Sequence, residues 1–262
     1  MALQKGDKSP LVKKWQQFLI DQLFLTGSAD GDFGNKTKAA TIAFQAFYGL
    51  QADGVAGSLT IGKAYELGFN PDKEPTPPKI KTEKDLMQWI KTNLGELIKQ
   101  SITGTIYTED WLAGICARET GYKIIQYFNQ GYSYENICAN MKGDWSKRSN
   151  DAEKKYHGFG FWQIDIDSYP TFVNSSDWVV PSKCCKMAVA VLNEKRNYLI
   201  SKHYDEQLDP VMFQRAITAS YNCGQGNVAK AITNGRDIDY YTFAKDYSKE
   251  VFRYRDIYKS LA

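Results

Sequence analysis

The chain has 262 residues, enough for two domains that each bury a core. Hydrophobic residues make up 43% and charged residues 24%, which excludes wholesale disorder. The net charge is only +3, with no basic excess in either half, so no nucleic-acid partner is expected. No run of eighteen apolar residues occurs, so no membrane insertion is expected, and the composition points to a monomer. The opening MALQKGDKSP lacks an apolar core and a small-residue cleavage site, which predicts synthesis in a bacterial cytosol without a secretory signal.

Residues 1–70 contain an internal echo. Ala29-Asp30-Gly31, followed by Gly34 and Thr37, returns as Ala52-Asp53-Gly54, followed by Gly57 and Thr60. Asp-Gly supplies a turn, and each copy precedes a helix. Leu11, Trp15, Phe18 and Leu19 predict one apolar helix face, and Ala40, Ala43, Phe44 and Phe47 a second. A third helix is expected after Ser58, a potential N-cap, carrying Ala64 and Leu67. Asp30-Gly31-Asp32-Phe33-Gly34, Thr37, Phe44-Gln45 and Asp53-Gly54-Val55-Ala56-Gly57 resemble the peptidoglycan-binding domain type 1. The resemblance implies a three-helix module that binds bacterial peptidoglycan.

The segment from Asn70 to Ile80, NPDKEPTPPKI, holds four of the eight prolines and predicts an extended linker over 71–80. The remainder, 81–262, reads as mainly helical. Thr82 and Asp85 form a capping-box pattern before the stripe Leu86, Trp89, Ile90, Leu94, Leu97 and Ile98. Thr108 is a candidate cap for a helix through Leu112, Ile115 and Cys116 that is expected to stop near Thr120-Gly121. Later helices fit 182–201, 208–221 and 239–260, and any short strands should fall within 129–170.

Three segments carry candidate chemistry: AGICARET (113–120), HGFGFWQID (157–165) and ASYNCG (219–224). Placed at the end of a helix with an apolar inner face, Glu119 should have a raised pKa, from the helix dipole and from burial. A carboxyl group protonated near neutral pH can donate to a glycosidic oxygen. The same glutamate could instead pair with Arg118 or Lys123 at the surface. Gln163 can grip sugar hydroxyls and Asp165 can hold a water. Aromatic side chains such as Phe161, Trp162 and Tyr169 can stack on sugar faces, and Tyr221 and Asn222 offer a hydroxyl and an amide at a helix end.

As a set, these segments resemble goose-type lysozymes and, more distantly, soluble lytic transglycosylases. The resemblance implies a mainly α architecture: the N-terminal three-helix module, then an α-helical lysozyme-like domain with a small β element. It places Glu119 on the general acid, Asp165 on the aspartate after the GxxQ segment, and Tyr221 and Asn222 on sugar-binding positions. By their own chemistry Asp165 is expected to assist the water, and Gln163 and Tyr169 to join the substrate-binding residues. Lys154 stands where the family often has another acid, which leaves Glu153 or Asp151 as a possible second acid. The implied activity is a muramidase cutting the β-1,4 bond between N-acetylmuramic acid and N-acetylglucosamine. A transglycosylase forming anhydromuramyl products, or a wall-binding protein without activity, remains open. His157 and His203 lie outside metal-ligand spacing, so no metal and no other cofactor is expected. Five cysteines, an odd number, fit thiols kept reduced. Cys116 and Cys223 are expected to be buried near the cleft. With free thiols and no signal, the architecture resembles modular phage endolysins, which a separate holin releases to the wall.

Overall fold

The computed structural model describes residues 2–72 and 79–261. The chain divides into two compact units, Met1–Pro77 and Pro78–Ala262. Most of the linker expected over 71–80, residues 73–78, lies outside the described residues. The described residues form twelve α-helices and one three-stranded sheet, a mainly α protein.

In the first unit, α1 (Pro10–Asp21), α2 (Asn35–Phe47) and α3 (Ser58–Glu66) enclose Trp15, Leu19, Phe33 and Phe44, all fully buried. The expected face of α2 is rotated. Thr37, Ala40, Thr41, Phe44 and Gln45 point inward, whereas Ala43 is exposed and Phe47 is 73% exposed. Ser58 is the first helical residue of α3, and Gly57 takes the N-cap position.

The duplicated turn has a physical cause upstream of itself. Gln16 on α1 donates through Nε2 to Asp30 Oδ1 (2.8 Å), the Asp32 carbonyl (2.9 Å) and Thr37 Oγ1 (2.9 Å), and its Oε1 accepts from Gly31 N (2.7 Å). Gln45 on α2 repeats this on Asp53 (2.9 Å), the Val55 carbonyl (2.9 Å), Thr60 (3.0 Å) and Gly54 N (2.9 Å). Aspartate, glycine and threonine recur because each supplies one partner to a buried amide that must be satisfied.

The second unit is built around α5 (Glu109–Asn129). It is buried continuously from Asp110 to Ala117 and again at Thr120, Gly121 and Ile124. A helix apolar on every side belongs in the centre of a core. α4 (Glu83–Ile102), capped by the expected Thr82–Asp85 box, packs along it, as does α12 (Tyr247–Lys259). Arg255 on α12 donates to Asp110 Oδ2 (2.9 Å) and lies over the Trp111 ring, 5.1 Å from its centroid. α8 (Pro181–Ser201) packs against α4 and against α10 (Pro210–Cys223).

The expected end of α5 at Thr120-Gly121 is overturned, since the helix runs two more turns to Asn129. Gly121 is a close-approach residue: a Cβ there would lie 2.7 Å from Leu86 Cδ2 on α4. Residues 129–170 hold a short helix α6 (Tyr134–Ala139) and three strands, β1 (Lys142–Ser146), β2 (Lys155–Phe159) and β3 (Ile164–Asp165). The sheet is antiparallel in the order β1-β2-β3. Three further short helices follow among the described residues: α7 (Pro170–Asn174), α9 (Tyr204–Gln207) and α11 (Gln225–Thr233). The helix expected from 239 begins at Tyr247. Ahead of it, buried Asp239 accepts from Arg215 (3.1 Å) and from Ser248 N (2.8 Å) and Oγ (2.6 Å), which fixes the entry into α12.

Candidate active site

Glu119 sits in the middle of α5, so the helix dipole does not account for its chemistry. Burial does: surrounded by protein and only partly exposed, its carboxyl is pushed up from 4.5 to about 7, against a hydrogen bond from Tyr247 and the charge of Arg118. Tyr247 Oη donates to Glu119 Oε1. Arg118 pairs with Asp246 (3.4 Å) and places its guanidinium 5.6 Å from the Tyr247 ring centroid. The alternative surface pairing of Glu119 with Arg118 or Lys123 does not form.

The glycine–aromatic segment lies against this helix. Thr120 Oγ1, next to Glu119, donates to the Phe161 carbonyl (2.9 Å), and Tyr221 Oη on α10 donates to the Trp162 carbonyl (2.8 Å). Burial, then the nearby Glu119 carboxylate, holds the Tyr221 hydroxyl well above its usual pKa. Tyr221, which feels the charge of Glu119, also lines a cleft of about 330 Å³ together with Arg148, Gln163, Asp165, Tyr169 and Asn222 among others. Glu119 itself is not among the lining residues.

Within the cleft, several expected roles are reassigned. Gln163 has a left-handed backbone (φ 49°), donates to the Gly160 carbonyl (2.8 Å) and lays its amide over Gly143 and Gly158, where a Cβ at Gly158 would fall 2.6 Å from Oε1. These glycines make room for the Gln163 side chain. The Tyr221 hydroxyl points inward to backbone, and Asn222 Oδ1 accepts from Phe243 N (3.0 Å). Tyr169 Oη donates to Glu194 (2.7 Å). Asp165 accepts from Arg148 Nη1 (2.6 Å) through Oδ2, and from Ser168 N and Oγ (2.9 Å each) through Oδ1. A carboxylate accepts about four hydrogen bonds. Arg148 and Ser168 therefore take three of them at Asp165.

The two alternative acids are not brought to the cleft. Asp151 lines a separate hollow of about 510 Å³ that shares Arg148 with it, and Glu153 is exposed on the loop between β1 and β2. Asp151 accepts from Lys155 (2.7 Å), Arg148 N (2.8 Å) and His157 Nε2 (2.8 Å), and the Lys155 bond above all holds its pKa well below the carboxylate range. Burial disfavours the charged His157 ring, but the Asp144 carbonyl and Asp151 outweigh it and raise its pKa. The fold also makes a grouping that histidine spacing does not reveal. Asp151, His157 and Asp167 bring ligand atoms within 4.8 Å of one another. Those atoms already face cations, with Lys155 at 3.2 Å and Arg148 at 2.8 Å from Asp167, so the group reads as a neutralised ion network.

All five cysteines are free. Cys116, Cys138, Cys184 and Cys185 are buried, and Cys223 is half-buried beside the cleft. Sequence reasoning did not single out Tyr247 or Arg148, because their partners stand 128 and 17 positions away and no local pattern marks them.

Comparison with known proteins adds to this geometry. Residues 8–63 match the family model described as "Putative peptidoglycan binding domain", which ties the first unit to peptidoglycan as its ligand. A zinc D-Ala-D-Ala carboxypeptidase of Streptomyces albus G is 58% identical over 38 residues, a stretch that spans 14% of this chain and 15% of that protein. The crystal structure of a Burkholderia AP3 phage endolysin aligns over 99% of both chains at 16% identity, with a TM-score of 0.26. No helix among the described residues is long and apolar enough to cross a membrane.

Proposed function

We propose that this protein is a peptidoglycan-cleaving glycosidase, with the first unit (1–70) as wall-binding module and residues 81–262 as catalytic domain. Glu119 protonates the oxygen of the β-1,4 bond between N-acetylmuramic acid and N-acetylglucosamine. The observation that carries this reading is the Glu119 carboxyl with a pKa near 7, held by Tyr247 and within electrostatic reach of cleft-lining Tyr221. An acid of that pKa keeps a large protonated fraction at neutral pH, which general-acid catalysis needs. Asp165 offers its remaining acceptor direction to the attacking water, with Gln163, Tyr169, Tyr221 and Asn222 lining the sugar's path. The two carboxyl groups of an inverting enzyme stand roughly 6.5–9.5 Å apart. Tethering by the first unit raises the local concentration of substrate, so moderate affinity suffices. Five unpaired thiols favour synthesis in a reducing cytosol and later release to the wall, as in phage lysis through a holin.

One observation favours a second reading. Asp165 is already engaged by Arg148 and Ser168, so a lytic transglycosylase, in which Glu119 serves as acid and then base, competes with hydrolysis. Digestion of purified peptidoglycan followed by mass spectrometry separates them. Reducing-end muropeptides support the muramidase, and anhydromuramyl products one water lighter support the transglycosylase. Turbidity loss that is equally slow with wild type and Glu119→Gln would reject both, leaving a wall-binding protein without activity.

A further inference from the structure

The hairpin beside the candidate site carries an aromatic pair that no role above absorbs. Trp145 and Tyr156 face each other across β1 and β2, ring centroids 4.6 Å apart, yet remain 58% and 38% exposed. Isolated exposed aromatics are ordinary, but two in contact form a platform. The next pair along the same ladder is Gly143 and Gly158, on which the amide of cleft-lining Gln163 rests.

The platform is also continuous with the candidate acid. Lys123 stands one turn beyond Glu119 on α5, and residues four apart share a helix face. Its Nζ donates to the Lys142 carbonyl at the start of β1 and lies 6.0 Å from the Tyr156 centroid. Burial lowers the pKa of Lys123, and among the described residues no protein carboxylate pairs with it. Glu119, Lys123, Tyr156 and Trp145 therefore succeed one another along one strip, which sets an ammonium with spare donors beside a stacking surface.

We infer that Trp145, Tyr156 and Lys123 form a subsite for one peptide-bearing aminosugar of the glycan strand, with the ring stacked on the aromatic pair and a carboxylate of its peptide stem on the Lys123 ammonium. The chemistry fits: pyranose C–H faces pack on aromatic rings, and a half-buried ammonium gains most from a ligand anion. The subsite rests on Glu119 acting at the neighbouring glycosidic bond.

The test uses full-length Glu119→Gln protein labelled with fluorotryptophan, the Trp145 line being assigned by its loss in Trp145→Phe. Two probes are titrated, an N-acetylglucosamine oligomer without stems and a muramyl disaccharide with its peptide stem. Both should move the Trp145 line. Tyr156→Ala should weaken both about tenfold, whereas Lys123→Gln should weaken only the stem-bearing probe, by a similar factor. Unchanged melting of the variants secures the fold. A Trp145 line that neither probe moves, or equal loss on both probes with Lys123→Gln, overturns the subsite. If the probes bind as expected while the protein with Glu119 intact cleaves no peptidoglycan, the glycosidase reading fails and the strip is a glycan-binding surface rather than a catalytic subsite.

Discussion

Gln16 and Gln45 in the first unit and Glu119 in the second are all polar groups sunk among apolar neighbours, and the fold treats them in opposite ways. Each glutamine amide is engaged at both its oxygen and its nitrogen, by partners that recur in sequence. Glu119 receives one hydrogen bond, from Tyr247, and its pKa moves to about 7. Full satisfaction turns a buried polar group into a fastener. Partial satisfaction leaves a proton loosely poised, which suits a group that must give it away.

The sharpest way to break this contrast is Glu119→Gln, which keeps the shape and removes the proton. Turbidity clearance of peptidoglycan should fall by roughly 10²–10⁴-fold, the usual contribution of a general acid, with binding to the wall retained. In the first unit, Gln45→Ala should cost about 3 kcal/mol by stranding the Gly54 amide and its companions. Hydrogen exchange should show a faster Gly54 amide and unchanged protection in α5.

A third outcome concerns pH. Because the folded pKa of Glu119 lies above its ordinary 4.5, folding retains a proton that the unfolded chain releases. The contribution of Glu119 to the stability of the second unit is therefore full below about pH 4.5, declines as pH rises towards 7 and is lost above it. Glu119→Gln should remove this share of the slope and make the protein more stable than wild type at alkaline pH, by about 2 kcal/mol. The smallest effect is expected for Tyr247→Phe. Losing a hydrogen bond that favours the carboxylate should raise the Glu119 pKa further, moving the alkaline limb of the activity profile upward by less than one pH unit.

How much of this was legible in sequence depended on how local the cause was. The Thr82–Asp85 cap and the doubled Asp-Gly turns show themselves within a few residues, and both were readable. The glutamines that hold those turns lie 14 and 8 positions before the aspartates they grip, so the repeat was visible without its reason. Gly121 read as a helix stop, because the Leu86 side chain that demands a small residue comes from another helix. That error carried into the site: Glu119 was expected to owe its raised pKa partly to a helix end, and it owes it to burial. Asp165 and Gln163 line one cleft, whereas the hairpin places Asp151 and Glu153, close in sequence to that motif, outside it.

The thiols hold a practical consequence. Four are sealed inside the second unit, and Cys223 alone borders the cleft, its pKa pushed up to about 11 by burial and nearby Asp239. A maleimide dye should therefore attach slowly but at a single place, giving a built-in optical gauge of whether the groove is occupied.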